Sequence, residues 1–188
     1  MADRVLETKI MADAASEETL VLGWINMPFA EACSVCCVSE FMTMLIMEPK
    51  LAHNILKFLS DLVIDFALAQ VEAGAPMIGA GDATASMLSP DLYRDFALPY
   101  EKKVVDAIHG RNALVKLHIC GKTGLILQNM ITTGADMFNV DHQVTFSKAC
   151  EMYGSNDISL KRNLDPVAEI RQASHQQCER NCFNRFSS

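Results

Sequence analysis

The sequence predicts an α/β fold with a parallel sheet, of the (β/α)8 TIM-barrel type. Apolar segments with strand character alternate about five times with segments of helical character, and such alternation produces parallel sheets covered by helices. Polar residues follow the strands directly, as Asp82, His118 and Asp141 do. Because barrel active sites lie at the carboxyl ends of strands, this pattern favours a barrel over an open doubly wound sheet. Neither of the glycine-rich nucleotide-binding motifs follows a strand.

Five strands are predicted where apolar segments are bounded by turn residues. They cover residues 19–25, 76–80, 113–119, 136–140 and 158–160. A complete barrel has eight strands and typically about 250 residues, whereas this chain has 188. We therefore expect one partial barrel domain over residues 1–188, with about five βα units, from a truncated chain.

The helices are predicted from capping residues and apolar periodicity. Residues 31–47 are predicted as one helix, and Pro49 begins a long amphipathic helix that ends at Gly74. Its predicted buried face consists of large apolar side chains at helical spacing: Leu51, Ile55, Phe58, Leu59, Leu62 and Phe66.

Later helices follow the same signals. Ser89 is predicted to cap a helix that Pro99 then breaks into two pieces. Further helices are predicted over residues 123–134, over residues 145–153 and from Pro166 onward.

Composition excludes several classes of protein. Half of the chain is hydrophobic and only 21% is charged, which is typical of a globular protein. The net charge of -7 and the lack of a basic stripe argue against nucleic-acid binding. No apolar segment has the length of a membrane span. Seven cysteines without a secretion signal predict reduced thiols and a cytoplasmic location.

His118 and Cys120 are the most informative residues of the chain. They lie two positions apart at the end of a predicted strand, so their side chains point to the same side. Imidazole nitrogen and thiolate sulfur are ligands that zinc prefers. A histidine and a small thiol are also common in protein cores, and the spacing alone leaves both interpretations open.

Several motifs together resemble the uroporphyrinogen decarboxylase superfamily, and within it the corrinoid-dependent methyltransferases of the methylcobamide:coenzyme M type. The shared segments are Ile78–Ser86, Leu88–Pro90, Phe96–Tyr100, Leu117–Gly121 and Asn163–Pro166. Asn-Leu-Asp-Pro is common to the superfamily, whereas His-x-Cys-Gly is more specific to the methyltransferase branch. The resemblance covers roughly residues 19 to 170.

The resemblance implies a TIM barrel and a zinc site with His118 and Cys120 as two ligands. Asp82 stands where relatives often carry an acidic residue near the metal, and it is the third candidate ligand. In that branch zinc binds and deprotonates a small-molecule thiol, and a partner protein supplies a methylated corrinoid, a cobalamin-type cofactor. No residue is assigned as a catalytic acid or base.

Two departures from the family pattern lead us to expect an incomplete site. Relatives supply a further cysteine ligand from a Gly-Cys segment near their last strand, and no such segment occurs here. Their N-terminal portion is also without a counterpart. We therefore expect weak zinc binding, reduced or absent activity, and association into homo-oligomers through open sheet edges.

Two alternative functions remain. The first is a uroporphyrinogen decarboxylase, a carboxy-lyase that binds a polycarboxylate through arginines. The arginine-bearing segment of that family has no counterpart here, and Ser34 and Val35 stand where its tyrosine is expected after Pro28-Phe29. The second alternative is a non-catalytic barrel fragment.

Five further cysteines and one histidine have simpler explanations than a functional site. Cys33, Cys36 and Cys37 are predicted as buried thiols of a helix, because no second cluster of matching spacing accompanies them. Cys178 and Cys182 are predicted on one face of a terminal helix. His142 is predicted either as a site residue at the strand ends or as a solvated loop histidine.

Overall fold

A five-stranded parallel sheet forms the centre of the chain. The computed structural model describes residues 2–16, 18–154, 158–177 and 180. The strands are β1 (Leu22–Asn26), β2 (Met77–Gly81), β3 (Leu114–Ile119), β4 (Met137–Val140) and β5 (Ser159–Arg162). Each strand pairs with the next along the chain, in the order β1-β2-β3-β4-β5. This order has no reversal point, which distinguishes a barrel arrangement from a doubly wound sheet. The predicted α/β class and parallel order are confirmed.

Helices connect the strands. They are α1 (Ala2–Ala14), α2 (Pro28–Cys36), α3 (Val38–Met47), α4 (Pro49–Glu72), α5 (Pro90–Phe96), α6 (Leu98–His109), α7 (Leu127–Met130) and α8 (Phe146–Tyr153). A short π-helical segment, Pro166–Arg171, follows β5. The Ser89 hydroxyl accepts a hydrogen bond from the amide of Leu92, as its predicted capping role requires. The predicted break before the second piece of this helix occurs at Ala97.

The two faces of the sheet have different characters. Side chains of one parity point toward the helices and are almost completely buried: Ile25, Ile78, Ala80, Val115, Leu117, Ile119, Phe138 and Val140. They form one hydrophobic core with the apolar residues of the surrounding helices. The opposite, inner face carries the other parity, including Trp24, Lys116, His118 and Lys161. We refer to it below as the inner face.

The predicted single helix over residues 31–47 is wrong, because the chain forms two helices there. Cys37 separates α2 from α3 and adopts a left-handed backbone with φ 66°. The helices meet at 108°, and the break brings Phe29 against Phe41, with ring centroids 5.5 Å apart in an edge-on arrangement. Core packing thus outweighs the continuous helical pattern of the sequence.

The predicted buried face of α4 is wrong at three of its six positions, whereas Ile55 and Phe66 are half-buried against the core. Leu51, Phe58 and Leu62 are exposed, whereas the buried positions are Ala52, Leu56, Leu59, Ser60, Val63, Ala67 and Gln70. Only Leu59 belongs to both sets. Alanines and hydrogen-bonded polar residues share the buried stripe with Leu56, Leu59 and Val63. The Ser60 hydroxyl, for example, donates to the carbonyl of Leu56 at 2.7 Å.

Gln70 binds the free edge of β1. Its Oε1 accepts from the amide of Trp24 at 2.9 Å, and its Nε2 donates to the carbonyl of Trp24 at 3.2 Å. These backbone groups point away from β2, since they alternate along the strand with the groups that bond the neighbouring strand. The glutamine side chain therefore takes the place of a neighbouring strand at this position.

Between β3 and β4 the predicted helix over residues 123–134 is replaced by short 3₁₀ and α segments. The hydroxyls of Thr132 and Thr133 donate to the carbonyls of Asn129 and Met130 at 2.7 Å. Such local bonds compete with regular helix formation. Gly134, with φ 84°, ends the segment.

Helix α1 was not predicted from the sequence patterns above. Thr8 is its only buried residue among those described, and the apolar Leu6, Ile10 and Met11 remain exposed. A helix without a buried apolar stripe gives no periodic signal. Among the described residues no single helix has the length and apolarity to cross a membrane; α2 and α3 meet that standard only when the bent pair is taken together.

Candidate functional site

A row of five residues crosses the inner face at the carboxyl ends of the strands. The strand register aligns Asn26 with Gly81, Gly81 with His118, His118 with Asn139, and Asn139 with Lys161. Side chains at aligned positions of neighbouring strands point to the same face. The sheet thus brings an imidazole, two amides and an ammonium group together from segments distant in sequence.

Hydrogen bonding defines the state of the His118 ring. Its Nδ1 lies 2.7 Å from the carbonyl oxygen of Asn139, and because a carbonyl only accepts, Nδ1 carries the proton. The neutral ring then has its lone pair on Nε2, which lies 2.9 Å from the Sγ of Cys120. Histidines that bind metals characteristically donate their other nitrogen to a carbonyl or carboxylate in this way.

The Cys120 thiol is protonated at neutral pH in this environment. Burial raises its pKa, and the negative charge of Asp141 raises it further. The thiol therefore donates to Nε2 of His118 and is a weak nucleophile without a nearby cation. A metal ion placed between the sulfur and the imidazole would favour the thiolate form of Cys120, because coordination deprotonates a thiol.

Gly121 turns the chain immediately after Cys120. Its φ of 92° lies in the left-handed region, and a Cβ there would approach the Ser86 hydroxyl oxygen to 3.2 Å. Glycine satisfies both constraints. The turn ends β3 at the thiol and leaves Cys120 exposed at the strand ends.

A second polar group lies after β4 and β5. His142 Nδ1 is 3.1 Å from Oδ1 of Asp141, and its Nε2 is 3.6 Å from Oδ2 of Asp165. Asp165, from the Asn-Leu-Asp-Pro motif, also accepts from the amides of Val167 and Ala168, and these bonds lower its pKa. The aspartate of the motif therefore caps the helical segment, and its other carboxylate oxygen lies near His142.

Asp82 lies at the same end of the sheet, but its carboxylate is completely buried on the side of the helices. Among the described residues neither of its oxygens has a hydrogen-bond partner of normal geometry. Burial raises the pKa of Asp82 well above its usual range, and the charge of Glu101 raises it further. Asp82 therefore belongs to a buried acidic pair, in which burial favours the protonated form of its carboxyl group.

Glu101, the other member of this pair, and its partner Tyr93 were not predicted from the sequence. Burial raises the pKa of Glu101 to about 7, and the hydrogen bond that it accepts from the Tyr93 hydroxyl lowers it in part. A glutamate in an amphipathic helix usually faces solvent, so no sequence signal distinguishes this one. The nearby Thr84 hydroxyl oxygen is buried without a partner in the described part of the chain.

The predicted ligand set is therefore only partly assembled. His118 and Cys120 are in direct contact, whereas Asp82 faces the helices. Over the described residues, no group of three or more His, Cys, Asp and Glu side chains lies close enough to hold a metal ion. The imidazole–thiol pair fits two positions of a zinc site, and Asp82 as a third ligand stays a prediction.

The other cysteines are separate from this pair. Cys33 is buried, Cys36 is half-buried and Cys37 is exposed at the bend between α2 and α3, and all three are free thiols. Burial raises the pKa of Cys33, and the nearby Asp82 and Cys36 raise it further. Residues 178 and 182 lie outside the described residues.

Known proteins resemble this chain over most of its length. The chain is 30% identical to a uroporphyrinogen decarboxylase of Prochlorococcus marinus over 84% of its residues and 47% of that protein. It is 32% identical to the methylcobamide:CoM methyltransferase MtbA of Methanosarcina mazei over 91% of its residues and 50% of that protein. The chain therefore spans about half the length of the curated relatives it matches.

The fold and the family of the chain are also shared with known proteins. A methyltransferase from Methanosarcina mazei superposes on 88% of this chain and 49% of its own with a TM-score of 0.81 at 26% identity. The model of the family described as "Uroporphyrinogen decarboxylase (URO-D)" matches residues 5–186. With its parallel sheet and the motifs at its strand ends, the chain belongs to the uroporphyrinogen decarboxylase family.

Proposed function

We propose that the chain is a zinc-dependent, methyltransferase-like protein that moves a methyl group from a methylated corrinoid to a thiol. One observation carries the proposal: Nε2 of His118 and Sγ of Cys120 lie 2.9 Å apart, with the tautomer fixed by the carbonyl of Asn139. The similarity to MtbA and to the structure of a methyltransferase from Methanosarcina mazei supports it.

The residues of the chain have distinct parts in this proposal. Nε2 of His118 and Sγ of Cys120 would hold zinc. When bound, zinc would deprotonate the small-molecule thiol and so supply the nucleophile. The Asn139 carbonyl keeps the lone pair of His118 directed toward the sulfur. The turn at Gly121 keeps Cys120 at the open end of the sheet, where a thiol and a corrinoid carried by a partner protein have access.

A uroporphyrinogen decarboxylase activity is the second candidate, because relatives of that name match equally long segments. The imidazole–thiol contact separates the two functions. A methyltransferase of this kind needs both side chains as ligands, whereas a decarboxylation that uses no metal has no need of the Cys120 sulfur.

The experiment is a direct comparison of the two activities. Purified protein with added zinc is incubated with methylcobalamin and 2-mercaptoethanol, and the methylated thiol is quantified; a parallel reaction contains uroporphyrinogen. We expect slow thiol methylation that Cys120→Ser abolishes and that Cys150→Ser, a change at an exposed cysteine of α8, leaves unaffected.

Two outcomes contradict the proposal. Decarboxylation that persists in Cys120→Ser, without thiol methylation, supports the decarboxylase. The absence of both activities with correctly folded protein supports a non-catalytic barrel segment.

A further inference from the structure

A second row of inner-face residues lies one step below the row that contains His118. The register aligns Trp24 with Gly79, Gly79 with Lys116, Lys116 with Met137, and Met137 with Ser159. Lys116 therefore points to the same face as Lys161, which belongs to the upper row on β5. With strands about 4.8 Å apart, β4 separates the two lysine backbones by roughly 10 Å.

Within the part of the chain that the structure describes, no carboxylate pairs with either lysine. Neither Lys116 nor Lys161 makes a hydrogen bond or an ion pair with any of the described residues. By contrast, Lys9 and Lys103 of the helices pair with carboxylates. In a chain of net charge -7, an unneutralised basic pair on one face of the sheet is unexpected.

The surroundings of Lys116 disfavour the charged form of its side chain. Its side chain is half-buried between the strands, and burial lowers its pKa, as does the positive charge of Lys161. Two ammonium groups that repel each other are stabilised when one anion lies between them. Lysine ammonium groups bind oxyanions as point charges with several donors.

Neighbouring side chains complete a shallow surface around the pair. Asn139 is aligned with Lys161, and its Oδ1 is buried without a partner among the described residues. The Trp24 ring lies across β2, because a Cβ added to Gly79 would approach Trp24 Cε3 to 2.4 Å. Gly79 and Gly81, which lack a Cβ, leave the space that the Trp24 ring fills.

We propose that Lys116 and Lys161 form an oxyanion-binding site on the inner face, which takes the acid group of a small molecule. Asn139 lies beside the bound group, and its free carbonyl oxygen is available to a hydrogen-bond donor of the same ligand. The site is distinct from the His118–Cys120 pair and does not depend on zinc.

Trp24 provides the readout, because it is the only tryptophan of the chain and lies on the same face. Metal-free protein is titrated with inorganic phosphate, sulfate and succinate at constant ionic strength while the tryptophan fluorescence is recorded. We expect a saturable change with one site. Phosphate and sulfate test a compact anion, and succinate tests an organic acid.

Substitutions assign the change to the two lysines. Lys116→Met and Lys161→Met should each weaken binding at least about tenfold, as expected for the loss of a charge from a two-charge site. Lys57→Met, which removes the same charge from an exposed position on α4, should leave binding unchanged. Lys161→Arg should retain most of the affinity, because the positive charge is kept.

Three results overturn the inference: no saturable change in the wild type, equal weakening in Lys57→Met, or undiminished binding in Lys116→Met. The increase in thermal stability with added anion gives a second measurement for each variant. An anion that stabilises the wild type and both methionine variants equally binds elsewhere.

Discussion

Both backbone polar groups of Trp24 are bound by one side chain, the amide of Gln70, at the free edge of β1. Edge strands present unpaired amides and carbonyls that invite pairing with other chains. Gln70 is 4% exposed and comes from α4, so it covers the edge without adding a strand. The expected association of chains through open sheet edges stays a prediction. At Trp24, another strand could pair with β1 only if the Gln70 side chain moved away.

Replacement of Gln70 with leucine should destabilise the protein and promote association. The change removes two hydrogen bonds and leaves the amide and carbonyl of Trp24 without partners, at a cost of about 1–3 kcal/mol. Urea unfolding gives the loss, and sedimentation velocity gives the state of association. Gln128→Leu on α7, at an exposed position, adds the same apolar side chain as a control. Equal stability and equal association of the two variants would show that the contact of Gln70 with Trp24 does not protect the edge of β1 from pairing.

The free energy of unfolding should fall as pH rises from about 4.5 to about 7. Burial raises the pKa of Glu101 from 4.5 to about 7, so the folded state binds a proton more tightly than the unfolded state does. The corresponding stability is complete below pH 4.5 and is lost as pH rises through about 7. The shift corresponds to roughly 3 kcal/mol. The pKa of Asp82 is also raised, which acts in the same direction.

Glu101→Gln tests this dependence, because glutamine cannot ionise but can still accept the hydrogen bond from Tyr93. Urea unfolding between pH 5 and pH 8 should show a clearly smaller loss of stability in this variant than in the wild type. Glu40→Gln makes the same change at an exposed site of α3 and should retain the wild-type slope. If the stability of Glu101→Gln falls with pH as steeply as that of the wild type, ionisation of Glu101 is not the source of the pH dependence.

Cys37→Gly should stabilise the bend between α2 and α3. Cys37 has φ 66°, and a residue with a Cβ pays about 1–2 kcal/mol for a left-handed backbone. Glycine avoids this cost, but it lowers the stability by about 0.5–1 kcal/mol because it loses more conformational entropy on folding. We expect a net gain of up to about 1 kcal/mol in thermal or urea unfolding.

The matched control is Cys36→Gly, within the last turn of α2, which should cost about 1 kcal/mol. If Cys37→Gly were destabilising to the same extent, strain at residue 37 would be excluded as the reason for the bend.

The sheet could be predicted from the sequence largely because β1 to β4 are short, mostly apolar segments with polar residues at or after their ends; β5, Ser-Leu-Lys-Arg, has a single apolar residue. The same regularity predicts His118, Asp82 and Asp141 at one end of the sheet, where they lie. Sequence patterns do not predict as well which way a side chain points once its strand has ended. Asp82 follows the inward-facing Gly81 and therefore turns toward α5 and α6.

Helix packing was harder to predict, because large apolar residues dominate the periodic signal. In α4, alanines and the hydrogen-bonded Ser60 and Gln70 take up more than half of the seven buried positions, while Phe58 is 63% exposed. The break at Cys37 likewise depends on the contact between Phe29 and Phe41, which joins two helices and leaves no local signal. Burial of polar residues depends on partners that only the folded chain supplies.

The most direct test of the central claim is the zinc affinity of the purified protein and its variants, measured by competition with a chromophoric chelator. We expect weak binding at one site, with His118→Ala and Cys120→Ser each reducing the affinity at least about tenfold, since each removes one ligand. Cys150→Ser should bind zinc as the wild type does. If His118→Ala and Cys120→Ser retain the wild-type affinity, the imidazole–thiol pair is not a metal site, and the proposed methyl transfer loses its chemical basis.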